Sequence, residues 1–166
     1  MDFINIDIDK ISLVKSIKSS YDFKYQDTNG IEFYSPELLV PFGLDKKYND
    51  YFLNLQLLNY KTSKDVMMFY NFIVNLEKRI IDLLNITENQ LNSQIRINNN
   101  YDPILYTKIN TKYNKLICDY KSYSNENLNI YELSKNTNVK VKLVLDKIWE
   151  KDNKYFYKIK TKEIIE

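Results

Sequence analysis

The chain has 166 residues and a formal net charge of +2, enough for one domain with a full core and too few for several, and too near neutral to imply a polyanionic partner by charge alone. With no histidine, one cysteine and two glycines, it excludes an internal disulfide, a multi-cysteine metal site, a histidine-assisted nucleophile and a glycine-rich phosphate loop. The 22 Lys, 21 Asn, 20 Ile and 15 Tyr, against two Arg and no Ala, all favour A/T-rich codons, so the abundance of tyrosine is not in itself evidence of binding.

The opening "FINIDIDKI" alternates Ile4, Ile6 and Ile8 with Asn5, Asp7 and Asp9, the period of a half-buried strand. It is acidic where a secretory signal would be basic and then apolar, and no apolar run approaches the ~18 residues that span a bilayer. A soluble, intracellular protein without a membrane partner is expected. Asp7 and Asp9 share a strand face, but with no third acidic residue nearby they predict a solvated face rather than a metal site.

"YDFKYQDTNGIEFYS" predicts a hairpin, two aromatic-rich runs around Asp27-Thr28-Asn29-Gly30, because Asn-Gly supplies the positive φ of a tight turn. Pro36 and Pro41 bracket "PELLVP", expected to be irregular. "YFLNLQLL" is a strand with Leu53, Leu55 and Leu57 inward and Asn54 and Gln56 outward. From Lys64 to Leu84 the period changes: Val66, Phe69, Ile73, Leu76, Ile80 and Leu83/Leu84 recur at three- and four-residue steps. That predicts one long helix at about 64–84, with Thr62 or Ser63 as N-cap and Asp65 in its first turn.

Residues 85–102, rich in asparagine, read as a surface loop. Strands resume at "ILYTKIN", "KLICDYK" and "LNIYEL", with Cys118 a small buried hydrophobe. A closing hairpin spans about 139–165. The whole is one domain, mainly β with one inserted helix (α+β). Such a strand count with a single interposed helix fits an OB-fold-like Greek-key barrel better than a sandwich.

Positive charge gathers in that hairpin: from Val139 to Lys162 there are eight Lys against Asp146, Glu150 and Asp152. If Trp149 pairs near Tyr155, Leu143 faces Thr161 on one side, and Lys140, Lys142, Phe156, Lys158, Lys160 and Lys162 fall on the other. Ammonium groups for phosphates beside a ring for a base are what a single strand needs, with little base preference. The same pattern is also what the wet face of any antiparallel hairpin looks like, where lysines guard an edge strand. Trp149 has two such readings as well, base platform or core anchor. Without histidine, a Gly-x-Ser-x-Gly elbow or a zinc pattern, neither an enzyme nor a cofactor is expected.

Three segments in order shift this balance: "YSPELLVPFGL" leading to "YFLNLQLL", the helix "FYNFIVNLEKRIIDLL", and "NVKVKLVLDKIWEKDNKYFYKIKTKEI". Together they resemble the single-stranded DNA-binding proteins of nucleocytoplasmic large DNA viruses, a family similar to the single-stranded DNA-binding protein of short-tailed phages. Pro36, Glu37, Leu38, Pro41, Phe42 and Gly43 match the first motif of those relatives. Val139, Lys140, Val141, Ile148, Trp149, Lys154 and Phe156 match the last, so the resemblance covers roughly residues 31 to 165.

It implies a barrel that coats single-stranded DNA in viral replication, recombination and repair, in a cytoplasmic factory, in the nucleus or packaged in the virion. Lys140, Lys142, Lys158, Lys160 and Lys162 are then the candidate phosphate contacts. Phe156, Trp149, Tyr106 and Tyr113 are the candidate stacking platforms. The expected partners are single-stranded DNA and a second copy of the chain, as a homodimer or larger. The phage relative ends in a long acidic tail that contacts replication enzymes, whereas this chain stops at "KEIIE", which leaves replication proteins as partners open. The alternative is a virion or nucleoid structural protein on the same barrel.

Overall fold

The N-terminal alternation does not make a strand. In the computed structural model, which describes residues 1–166, Phe3–Asn5 and Ile8–Lys10 are single 3-10 turns. Phe3 and Ile6, three apart, are the buried pair. The Asp7 carboxylate takes the Asp9 N–H at 3.1 Å, a local bond that competes with a strand ladder. The first strand is β1, Ile11–Lys15, followed by β2, Ser20–Tyr25, and the short β3, Thr28–Asn29.

The two aromatic-rich runs are not each other's partners either. β2 turns back at Gln26-Asp27 onto β3, and Gly30, at φ +76°, swings the chain into β4, Ile31–Val40, in another sheet. A Cβ at Gly30 would stand 3.2 Å from the Leu145 carbonyl oxygen, a close approach that favours glycine. Contrary to the irregular segment expected at "PELLVP", β4 runs through Pro36. A register shift opposite Val141 makes room for the proline, and the Val141 N–H donates to Ser35 Oγ at 3.1 Å instead of to the ladder. Prolines inside sheets sit at such bulges.

The remaining elements are β5, Leu44–Lys47, β6, Asp50–Gln56, the helix α1, Lys64–Leu84, then β7, Leu91–Asn92, β8, Ile95–Arg96, β9, Ile104–Lys112, β10, Lys115–Ile117, and β11, Asp119–Lys121. The chain closes with β12, Thr137–Leu145, β13, Lys147–Lys151, β14, Lys154–Tyr157, and β15, Ile159–Ile165. "LNIYEL" is a 3-10 turn at Ile130–Glu132, with the Asn129 side chain accepting the Tyr131 N–H. The expected loop at 85–102 is tied down by β7 and β8, with Leu91 and Ile95 buried. Its start is fixed by Thr87, whose N–H donates to Gln90 Oε1 at 2.9 Å. Cys118 is half-buried, and burial raises its thiol to about 12.

β9, β15, β12, β4 and β6 are neighbours in that order, and β6 pairs back onto β9. This is a closed five-stranded barrel of OB-like topology, mostly β with one helix, as the strand count suggested. Leu143 lies opposite Thr161 as expected. β15 runs parallel to β9, and there the buried Thr107 and Thr161 hydroxyls meet at 2.6 Å while Thr107 also donates to the Leu53 carbonyl. Asn54, expected on a wet face, is only 5% exposed, and its Oδ1 has no partner.

The helix keeps its expected bounds, but Phe72 joins the buried stripe and Leu83 and Leu84 are only half-buried. Val66, Phe69, Phe72, Ile73, Leu76 and Ile80 are buried, and Asn85 closes it in the left-handed conformation, a position that suits Asn. Phe69 and Phe72 interlock with Phe3 and Phe33, edge to face at 5.1 Å for Phe3–Phe69 and 5.0 Å for Phe33–Phe72. No helix is long and apolar enough to cross a membrane.

The closing hairpin divides between two sheets. β12 and β15 are barrel strands, but past Asp146 the chain bends, and β13 and β14 join β1, β2 and β7 in a second sheet. The tip is a two-residue turn, Asp152-Asn153, both at positive φ. It therefore pairs Trp149 with Phe156 and Glu150 with Tyr155, one residue off the expected pairing of Trp149 near Tyr155 across three turn residues.

Candidate nucleic-acid interface

The alternation that sends Leu53 and Leu105 inward turns Phe52, Tyr106 and Lys108 to the barrel exterior, with Phe52 opposite Lys108. Segment 91–96 lies against these strands. Leu91 and Asn92 pair with Tyr155 and Phe156 of β14, and Ile95 pairs with Leu105 of β9. Glu77 of α1 anchors it: the Ser93 hydroxyl donates to Oε2 at 2.8 Å, and the Gln94 N–H and the Tyr157 hydroxyl donate to Oε1 at 3.0 and 2.5 Å. One carboxylate thus holds the segment and the residue between Phe156 and Lys158.

Between β6, β9 and this segment runs a groove of about 270 Å³, lined by Lys47, Phe52, Asn92, Arg96, Tyr106, Lys108 and Lys158 among others. Four cations line it, Lys47, Arg96, Lys108 and Lys158, and two of them lie on aromatic rings. The Arg96 guanidinium lies 4.0 Å from the Tyr106 ring centre and donates to its hydroxyl at 3.2 Å. Lys158 Nζ stands 5.6 Å from the Trp149 ring, and Trp149 stacks on Phe156 at 6.0 Å and 20°. The groove therefore opens onto a two-ring shelf.

Its carboxylates are few. Asp50 pairs with Lys108 at 2.7 Å, which holds its carboxyl below the usual range, and Asp45 stands 3.7 Å from Lys47. Lys158 has no carboxylate within ion-pair distance. Burial first, and then the neighbouring Lys108 charge, push its ammonium below the ordinary lysine value. A cation destabilised by its own neighbours is one that an added anion would relieve.

The four other candidate lysines, Lys140, Lys142, Lys160 and Lys162, lie on β12 and β15 and are already paired. Glu32 receives Lys142 at 2.9 Å and Lys162 at 2.8 Å, Lys140 reaches Asp2 at 3.0 Å, and Lys160 pairs with Asp146. Glu32 is held below the usual carboxylate range by Lys162 and Lys142. Nearby, the Tyr34 hydroxyl donates to Glu163 at 2.5 Å, which pushes Tyr34 up to about 12 and Glu163 down.

Of the residues singled out from the sequence, the fold therefore puts Lys158 and Tyr106 in one groove and the Trp149–Phe156 pair beside it at Lys158, with Lys140, Lys142, Lys160 and Lys162 in a separate, ion-paired row. Tyr113 is at neither place: it caps the β9–β10 turn, 87% exposed. The pattern of the hairpin missed Lys47, Phe52, Arg96 and Lys108. Arg96 had one signal, as one of two arginines in a lysine-rich chain, flanked by Ile95 and Ile97 in alternation.

No protein-family model and no curated protein sequence matches the chain. Its structural neighbours are phage proteins at low identity. The single-stranded DNA-binding protein from bacteriophage Enc34 superposes with a TM-score of 0.55 at 14% identity, covering 95% of this chain and 89% of that one. Its C-terminal truncation gives 0.54 at 15%, covering 95% and 93%. The single-stranded DNA-binding protein encoded by bacteriophage T7 gives 0.58 at 12%, covering 82% and 85%. At such identities the likeness establishes the fold.

Proposed function

We propose that this chain binds single-stranded DNA without sequence preference and coats exposed strands during replication, recombination and repair of a large DNA virus. The carrying observation is the groove, where Lys47, Arg96, Lys108 and Lys158 surround Phe52 and Tyr106 and lead to the Trp149–Phe156 shelf. Phosphates take the cations, and bases stack on the rings for about 1–3 kcal/mol each, whatever their identity. Lys158, Tyr106, Phe156 and Trp149 are the primary contacts. Lys140, Lys142, Lys160 and Lys162 form a second tier, because exposed ion pairs are worth only about 0–1 kcal/mol and yield to a phosphate. The structural neighbours, named as single-stranded DNA-binding proteins of phages, and the large-virus resemblance support the assignment. We place the protein in the infected cell's factory or nucleus, with self-association along the strand.

Fluorescence anisotropy of a labelled oligothymidylate, at low and moderate salt with duplex competitor, tests this. Saturable binding that weakens with salt and resists duplex is expected. No binding at low salt would sink it. The ion-paired row favours one other reading, a virion or nucleoid packing module, and light scattering separates the two: such a module oligomerises with or without DNA.

A further inference from the structure

Two turns of the barrel carry the same tripeptide, Lys47-Tyr48-Asn49 between β5 and β6, and Lys112-Tyr113-Asn114 between β9 and β10. Both tyrosines sit at positive φ, +56° and +51°, a region in which bulky residues are strained and Asn or Gly is not. Neither buries its ring in return: Tyr48 is 98% and Tyr113 87% exposed. A third two-residue turn, Asp152-Asn153, uses residues that tolerate the same backbone.

The two tips are neighbours. β6 and β9 are antiparallel, with Tyr51 opposite Ile109, so both turns lie at one end of the barrel, and Asn49 and Asn114 line a common cleft with Lys46. Lys112 Nζ stands 5.4 Å from the Tyr113 ring. Lys47, which precedes Tyr48, is itself a wall of the groove.

We infer that Tyr48 and Tyr113 form a second base-stacking station, which grips a single strand as it leaves the groove at the Lys47 end. This rests on the proposed single-strand binding and extends its site. The flanking lysines hold phosphates while the two projecting rings hold bases, so the tips matter only for strands long enough to reach them.

The test is anisotropy with oligothymidylates of about 5 and about 16 nucleotides, the ends of the site-size range for such barrels. It uses the wild type, the double variant Tyr48→Asn with Tyr113→Asn, and the double variant Tyr48→Phe with Tyr113→Phe. The Asn variant is expected to melt at or above the wild-type temperature, to bind the short oligomer normally, and to lose roughly tenfold or more on the long one. The Phe variant keeps both affinities. Wild-type-like binding of both lengths by the Asn variant overturns the station and leaves the groove standing. Failure of the wild type to bind either length overturns the groove reading, and the station with it. A weakening on the long oligomer that tracks the disappearance of a dimer by light scattering also overturns it, since the rings would then be contacts between copies.

Discussion

The groove and the exterior of β12 and β15 both set cations beside aromatic rings, yet they present different electrostatics. On β12 and β15, Lys140, Lys142, Lys160 and Lys162 meet Asp2, Glu32 and Asp146 across adjacent elements, and every ammonium has a carboxylate. In the groove, Lys158 has none and repels Lys108. Period-two lysines follow from keeping one strand face wet. Whether they attract a polyanion depends on what the neighbouring strands place beside them.

The comparison breaks most sharply under charge reversal. Lys108→Glu with Lys158→Glu should cut oligothymidylate affinity by about 100-fold or more at moderate salt and flatten the slope of log affinity against log salt by ~0.7 for each phosphate that the variant no longer neutralises. A melting temperature near wild type, read by circular dichroism, checks that the fold survives. Removing a ring comes next: Trp149→Ala, Phe156→Ala or Tyr106→Ala should each lose about 5- to 100-fold, by the worth of one stacked base. Little salt dependence in that loss distinguishes stacking from charge.

Smaller is the effect of Glu77→Gln, which keeps the side chain's shape but weakens its hold on Ser93, Gln94 and Tyr157. Affinity should fall about fivefold, with faster amide exchange at residues 93–96 by mass spectrometry, because bonds to a charged acceptor are worth about 1.5–3 kcal/mol. Slower exchange at the β15 amides than at 93–96 would mark this as positioning of the groove wall.

Smallest is the paired row, where Lys142→Ala or Lys162→Ala should change affinity less than about twofold. A fivefold loss there would erase the distinction between the regions. pH sharpens it. The lowered Lys158 value means that its ammonium is lost before those of ordinary lysines, so affinity should decline as pH rises through that value. Lys158→Arg should abolish the decline. Glu32 acts in the opposite range: its folded value is depressed, so its stabilisation is complete above the ordinary carboxylate range and disappears as pH falls through the folded value. Thermal melts of Glu32→Gln should lose that acid-side dependence.

Much of the scaffold was legible because its periods are local. The helix at Lys64–Leu84 declares itself in three- and four-residue steps, β12 in strict alternation, and β6, β9 and β15 in alternation over part of their length. Alternation misled at Ile4, Ile6 and Ile8, where side-chain capping by Asp7 supports a tight turn instead. The groove was half legible. Lys158 and Phe156 lie in the patterned hairpin, but the wall from Asn92 to Arg96 owes its place to Glu77, Leu105 and Tyr155, partners on three other elements. At the bend, likewise, the Asp146 carbonyl accepts the Phe23 N–H at 2.9 Å and Gly30 lies close to the Leu145 carbonyl. The period of no single element reveals these contacts.

The parallel pairing of β15 with β9 has a kinetic consequence. β15 is inserted between β12 and β9, so the ring cannot shut until residues 159–165 have been synthesised and threaded into place. Pairings this distant in sequence form slowly. A chain emerging from the ribosome thus exposes open edges on β9 and β12 until β15 arrives, and throughout that interval it is exposed to aggregation.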